Sequence, residues 1–219
     1  MGKIAILHTT PATIAPLNTM IKNRCPDIQI YNFIDDSILP MLKEDIATLD
    51  YAFEKLLCYA QFAQRQGVQL ILSACSSVGD FADYASGKLS VPLIRIDDAV
   101  SDTAVKMGKK VAVLATLPTT LNPSSNLIRR KGNGEAEVTP VLVEGAYEAL
   151  QAGDKAEHDR LIAEAAGKAA KEQDVVYLAQ ASMADAAAML PEEMQKKVLF
   201  STGPAVDQVV NMYRELNHQ

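Results

Sequence analysis

Cys75 stands in the run Ser73-Ala74-Cys75-Ser76-Ser77-Val78-Gly79-Asp80, just past an apolar stretch that reads as a buried strand. A helix is expected to begin there, and its positive end would favour a thiolate and lower the thiol pKa. Ser76 and Ser77 place further donors beside the sulfur. A thiolate so held could take a proton from carbon or attack an electrophile. The competing reading is a small buried cysteine used as core filler. Cys58 lies within a long helical pattern and reads as packing, and Cys25 precedes Pro26 in a turn with no evident chemistry.

Two Thr-rich turns follow apolar runs: His8-Thr9-Thr10-Pro11-Ala12-Thr13 and Thr116-Leu117-Pro118-Thr119-Thr120. Free backbone N–H groups and hydroxyls at a helix start make an anion site suited to a carboxylate or phosphate, which brings in Thr10, Thr116, Thr119 and Thr120. Plain N-capping is the alternative for any one of them. Gln180 lies in Leu178-Ala179-Gln180-Ala181-Ser182-Met183-Ala184-Asp185. An amide cannot abstract a proton, but it can hydrogen-bond a carboxylate or carbonyl oxygen, or simply fix its turn. His8 could act as an acid or base from the end of the first strand, although a lone histidine is more often structural. Asp80 and Asp185 fall one turn into their expected helices and would complement the helix dipoles. Asp97 and Asp98 read as helix caps, and Arg129-Arg130-Lys131 as a solvated helix end.

Alternating strands and helices must position these groups. The expected strands are Lys3–His8, Ile28–Ile34, Val68–Ala74, Pro92–Ile96, Lys110–Ala115, Glu137–Val143, Val175–Ala179 and Val198–Ser201. Continuous apolar runs such as Ile4-Ala5-Ile6-Leu7 suit parallel strands buried on both faces. From Glu44 to Gln66 the apolar residues Ile46, Leu49, Phe53, Leu56, Leu57, Ala60 and Ala63 follow helical spacing, and Gly67 ends the run. From Asp154 to Gln173, Asp154 and Glu157 resemble a capping box, with Leu161, Ile162, Ala165, Ala166 and Ala169 inside.

The same plan occurs twice. KIAILHTTPAT at Lys3 matches KVAVLATLPTT 107 residues later, LSACSSVGD at Leu72 matches YLAQASMAD 105 later, and VPLIRIDDAV at Val91 matches KVLFSTGPAV 106 later. This pairs Cys75 with Gln180 and Ser77 with Ser182. The expected fold is therefore α/β, with two pseudosymmetric lobes, each a parallel β-sheet flanked by helices. Residues 1–97 plus 203–219 would form one lobe and residues 98–202 the other. The last helix, about Pro204–Leu216, would return to the first lobe, and the helix after Ile96 would pack on the second. Ligands of such sheets bind beyond the carboxyl ends of the strands, so a cleft between the lobes is the expected site.

The SACSS run, the TLPTT turn and the duplicated frame resemble the aspartate/glutamate/hydantoin racemase superfamily over nearly the whole chain. The resemblance implies racemisation without pyridoxal phosphate, metal or other cofactor. Such racemases use two cysteines, one per lobe, on opposite faces of the substrate. Cys75 matches the first, and Gln180 stands where the second would be. Ser76 and Ser77, with Thr116, Thr119 and Thr120, would then hold a substrate carboxylate. His8 or water would serve the far face. The resemblance leaves open one-sided chemistry by a single thiol, as in arylmalonate decarboxylases, and nucleophilic attack by Cys75, as in maleate isomerases. A non-catalytic binder of small carboxylates is a third class.

Bulk properties narrow the partners. A formal charge of -6 over 219 residues disfavours nucleic acid and anionic membranes, and the resemblance implies a small carboxylate or amino-acid-like substrate. The N-terminal apolar run is too short for a signal-peptide core and reads as a strand. Three scattered cysteines without a CxxC pair argue against a disulfide scaffold or a structural zinc site and fit a cytoplasmic setting. A homodimer is common among enzymes of the resembled kind.

Overall fold

Two parallel sheets carry the apolar runs at their centres. The computed structural model describes residues 2–217. The chain divides into two compact units, Met1–Ile96 with Thr202–Gln219, and Asp97–Ser201.

In the first unit the order is β1 (Lys3–His8), α1 (Ile14–Arg24), β2 (Gln29–Ile34), α2 (Ile38–Glu44), α3 (Leu49–Arg65), β3 (Leu70–Ser73), α4 (Phe81–Tyr84) and β4 (Leu93–Arg95). The second unit holds α5 (Asp98–Met107), β5 (Lys110–Ala115), α6 (Pro118–Lys131), β6 (Glu137–Leu142), α7 (Ala146–Gln151), α8 (Lys155–Glu172), β7 (Val175–Leu178), α9 (Glu192–Gln195) and β8 (Val198–Phe200). Helix α10 (Thr202–Asn217) belongs to the first unit. The strand orders are β2-β1-β3-β4 and β6-β5-β7-β8, the same topology twice.

Alternation along the strands explains why continuous apolar runs are needed. Ile4, Ile6, Leu70 and Leu72 face α1 and α10 through Leu17, Ile21, Val206 and Val209. Ala5, Leu7 and Ile71 face the other side, against Phe53, Leu56 and Ala60 of α3. In the second unit Val111, Val113, Val175 and Tyr177 pack with Val100 and Ala104 of α5 and Ile128 of α6. Ala112, Leu114, Val176 and Leu178 pack with Ile162, Ala166 and Ala170 of α8. Both faces of each central strand are thus covered, as parallel sheets require.

Two local expectations change. The helix expected from Glu44 begins at Leu49, because the Asp45 carboxylate accepts the Ala47 N–H at 2.9 Å and caps a separate 3-10 turn, Ile46–Thr48. Ile46, assigned to the inner face, is 56% exposed. After β3, no α-helix starts at Cys75. A single 3-10 turn, Ser76–Val78, intervenes before the short α4. The start at Asp154 is as read, with its carboxylate accepting the Glu157 N–H at 3.0 Å. No helix among the described residues is long and apolar enough to cross a membrane.

Candidate active site

Parallel pairing brings strand ends together, and the chemistry-bearing residues follow directly. In the first unit Leu7 pairs with Ser73, and Ala74 N–H bonds the Leu7 carbonyl at 2.9 Å. The ladder therefore sets Thr9, which follows β1, beside Cys75, which follows β3. Cys75 is half-buried and in extended conformation, φ -140° and ψ 117°. Burial pushes its thiol above the ordinary value of 9.0. The Thr9 hydroxyl, the N–H groups of Ser77 and Val78 and the Ser77 hydroxyl surround the sulfur and oppose that rise without overcoming it. The lowering expected from a helix terminus is thus reversed. One 3-10 turn aligns too few peptide dipoles to offset desolvation. A thiol of this kind rests neutral and is a stronger base once ionised.

Thr9 is the residue that sequence reasoning passed over for Thr10. Its hydroxyl is buried and has no well-formed hydrogen bond apart from its approach to the sulfur. The repeat could have identified it, since Thr9 and Thr116 are equivalent. Thr10 instead caps the 3-10 turn Pro11–Thr13, its hydroxyl accepting the Ala12 N–H at 3.4 Å. Ser76 and Ser77 are buried in the turn after Cys75.

His8 is 1% exposed and held at both nitrogens. Nε2 lies 2.9 Å from Asn32 Oδ1, an acceptor, so it carries the proton. Nδ1 then accepts from the Thr13 hydroxyl at 2.7 Å. Burial lowers the His8 pKa, with the Asn32 bond opposing it. A neutral ring with both nitrogens engaged is a poor free acid. It fixes the end of β1 instead.

Two further groups brace this rim. The carboxylate of Asp35, after β2, meets Lys55 Nζ at 2.7 Å and accepts from Ser37 Oγ at 2.5 Å and Tyr59 OH at 2.7 Å. Burial opposes its ionisation, but Lys55 and the two hydroxyls outweigh that and hold it at about 2. The bond to Asp35, with burial, raises Tyr59 to about 12. Asp80, read as a dipole partner, pairs with buried Arg95 of β4 at 3.1 Å. A Cβ at Gly79 would collide with the Arg95 guanidinium, so glycine lets that cation lie against the Cys75 loop.

The second unit repeats the frame with different atoms. Leu114 pairs with Leu178, and Ala179 N–H bonds the Leu114 carbonyl at 2.9 Å. Thr116 thus meets Gln180, whose Oε1 accepts the Thr116 N–H at 2.5 Å and the Thr116 hydroxyl at 3.0 Å. Thr119 and Thr120 lie in the first turn of α6, whose N-cap, Leu117, offers no side-chain oxygen. Ser182 is half-buried, and its carbonyl lies 3.3 Å from Nε2 of His158, a fully buried histidine whose Nδ1 reaches the Ala146 carbonyl at 2.8 Å. His158 went unremarked in the sequence because it sits mid-helix. Asp185 pairs with Lys155 at 2.8 Å, and Lys131 bridges Asp98 and Asp102 at 2.8 and 3.0 Å. Cys58 is exposed, Cys25 is half-buried, and all three cysteines are free. Among the described residues no three His, Cys, Asp or Glu side chains gather as a metal site.

The sequence model of the Asp/Glu/Hydantoin racemase family matches residues 4–209. No curated protein matches in sequence. Solved structures share the fold. Glutamate racemase from Francisella tularensis subsp. tularensis SCHU S4, in complex with D-glutamate, has a TM-score of 0.78 at 17% identity, covering 99% of this chain and 82% of that one. Picrophilus torridus aspartate racemase gives 0.74 at 11% identity, covering 99% and 98%. Allantoin racemase from Klebsiella pneumoniae gives 0.68 at 20% identity, covering 99% and 89%. The chain belongs to the Asp/Glu/Hydantoin racemase family and is an enzyme of its isomerase class.

Proposed function

We propose that this protein is a cofactor-independent isomerase that transfers a proton at the carbon alpha to a carboxylate, with Cys75 as the reacting thiol. The observation that carries the reading is the setting of Cys75: a half-buried sulfur faced by Thr9 and by the N–H groups of Ser77 and Val78. The Cys75 thiol, neutral at rest, gives its proton to solvent; the thiolate so formed takes the α-proton and becomes a thiol again, leaving an enediolate. Ser76, Ser77, Thr10, Thr119, Thr120, Gln180 and Ser182 are the groups we assign to holding the carboxylate, where donors lower the cost of the developing charge, and Thr116, whose two donors are spent on Gln180, positions that amide. Because His8 is engaged at both nitrogens, water returns a proton to the other face and the thiol proton passes to solvent. The substrate is a small carboxylate of amino-acid type, and a cytoplasmic setting fits three free thiols.

The test is incubation in D₂O with amino acids, hydantoins and substituted malonates, beside Cys75→Ala. Deuterium at the α-carbon with inversion, absent in the variant, is the expected result. Release of CO₂ would point to a single-thiol decarboxylase. Binding without exchange, together with a Cys75 inert to alkylation, would point to a carboxylate-binding protein and end this reading.

A further inference from the structure

The side-chain amide of Gln180 has a fixed direction. A backbone N–H only donates, so the atom 2.5 Å from the Thr116 nitrogen must be the Gln180 carbonyl oxygen. The Thr116 hydroxyl donates to the same oxygen at 3.0 Å. Nε2 is therefore turned away from Thr116, and it has no partner among the described residues. In the first unit the equivalent threonine faces a sulfur. In the second it aims an amide.

We propose that Gln180, aimed by Thr116, is a fixed hydrogen-bond donor to a carboxylate oxygen of the substrate, and that this loop carries no proton in the reaction. Thr116 is the positioning residue, and its hydroxyl and N–H together determine which end of the amide meets the ligand. The proposal deepens the carboxylate reading above and rests on it. An amide has no proton to exchange with carbon near neutral pH, so the second loop binds where its repeat partner reacts. A hydrogen bond to a charged oxygen implies a loss of about ten- to a hundredfold in affinity when the donor is removed.

Gln180→Glu isolates the donor. A carboxylate accepts both Thr116 bonds equally well, so the turn is kept, while an anionic oxygen replaces Nε2. Wild type, Gln180→Glu, Thr116→Val and Thr116→Ser would be titrated calorimetrically with malonate and with both enantiomers of glutamate and aspartate. The expected result is binding by wild type of at least one of these probes, about tenfold or more weaker in Gln180→Glu at unchanged melting temperature. Thr116→Val should weaken it less, and Thr116→Ser should restore it. Binding by Gln180→Glu as tight as wild type would overturn the proposal, as would a Thr116→Val defect that serine does not repair, or no binding of any probe by wild type. Parallel α-deuterium exchange separates the two ideas. Exchange that survives Cys75→Ala would sink the proton-transfer reading, while a Gln180→Glu binding loss would still support this one.

Discussion

Gln180 accepts two hydrogen bonds from Thr116, at 2.5 and 3.0 Å, at the position where its repeat partner Cys75 faces Thr9. The two strand ends share one frame and differ in what they can do to a proton. Wild-type protein should therefore exchange an α-proton faster than it inverts the centre. Gln180→Cys supplies the second thiol on which the two-cysteine pattern depends. Inversion relative to exchange should rise by about tenfold or more, one pKa-matched proton donor contributing on the order of 10²-fold. Chiral chromatography beside mass spectrometry reads both rates. An unchanged ratio in Gln180→Cys would mean that a missing thiol does not limit inversion.

The pH dependence of Cys75 follows from its burial. A thiol held above 9.0 is less ionised at neutral pH than a free one, and only the thiolate reacts with iodoacetamide. Labelling at Cys75 should be slower than that of a free cysteine peptide at pH 7.5 and should climb through alkaline pH. Thr9→Val removes a hydroxyl that favours the thiolate, so labelling should slow further. Faster labelling than the free peptide, mapped to Cys75 by mass spectrometry, would contradict this account.

His8 links stability to mild acid. Its pKa is lowered from 6.5 in the folded protein, so below that value the unfolded chain binds the proton first. The contribution is present above pH 6.5 and is lost as pH falls toward the folded value. Urea midpoints should drop between pH 7.5 and 5.5, and His8→Gln should flatten that difference. An equal drop in the variant would place the titrating group elsewhere.

Gly79 has a steric role. A methyl group there meets the buried Arg95 guanidinium, which is tied to Asp80 at 3.1 Å and cannot swing aside freely. Gly79→Ala should cost about 1–3 kcal/mol in denaturant unfolding, the range for overpacking. Because the collision lies four residues from Cys75, alkylation of Cys75 should change too. A neutral substitution would mean that Arg95 has room to move.

The sequence by itself determined the alternation of elements and the duplication, and with it that Cys75 and Gln180 are repeat partners. Those signals are local or periodic: runs such as Val111-Ala112-Val113-Leu114 must be buried on two faces, and a repeat preserves its spacing. The first turn after β3 was misread because nothing local distinguishes an α-helix start from a 3-10 turn over Ser76–Val78. Tertiary structure alone decided that Thr9 faces the sulfur, that both nitrogens of His8 are engaged, and that Gln180 turns its carbonyl oxygen to Thr116. It also decided the sign of the Cys75 shift. The contacts of Cys75 and Gln180 depend on which groups parallel pairing sets side by side across more than sixty residues of chain, the His8–Asn32 bond on pairing of neighbouring strands, and the Cys75 shift on how much water the packed loops exclude. Neither quantity is written in local sequence, because desolvation and hydrogen-bond partnership belong to neighbours in space.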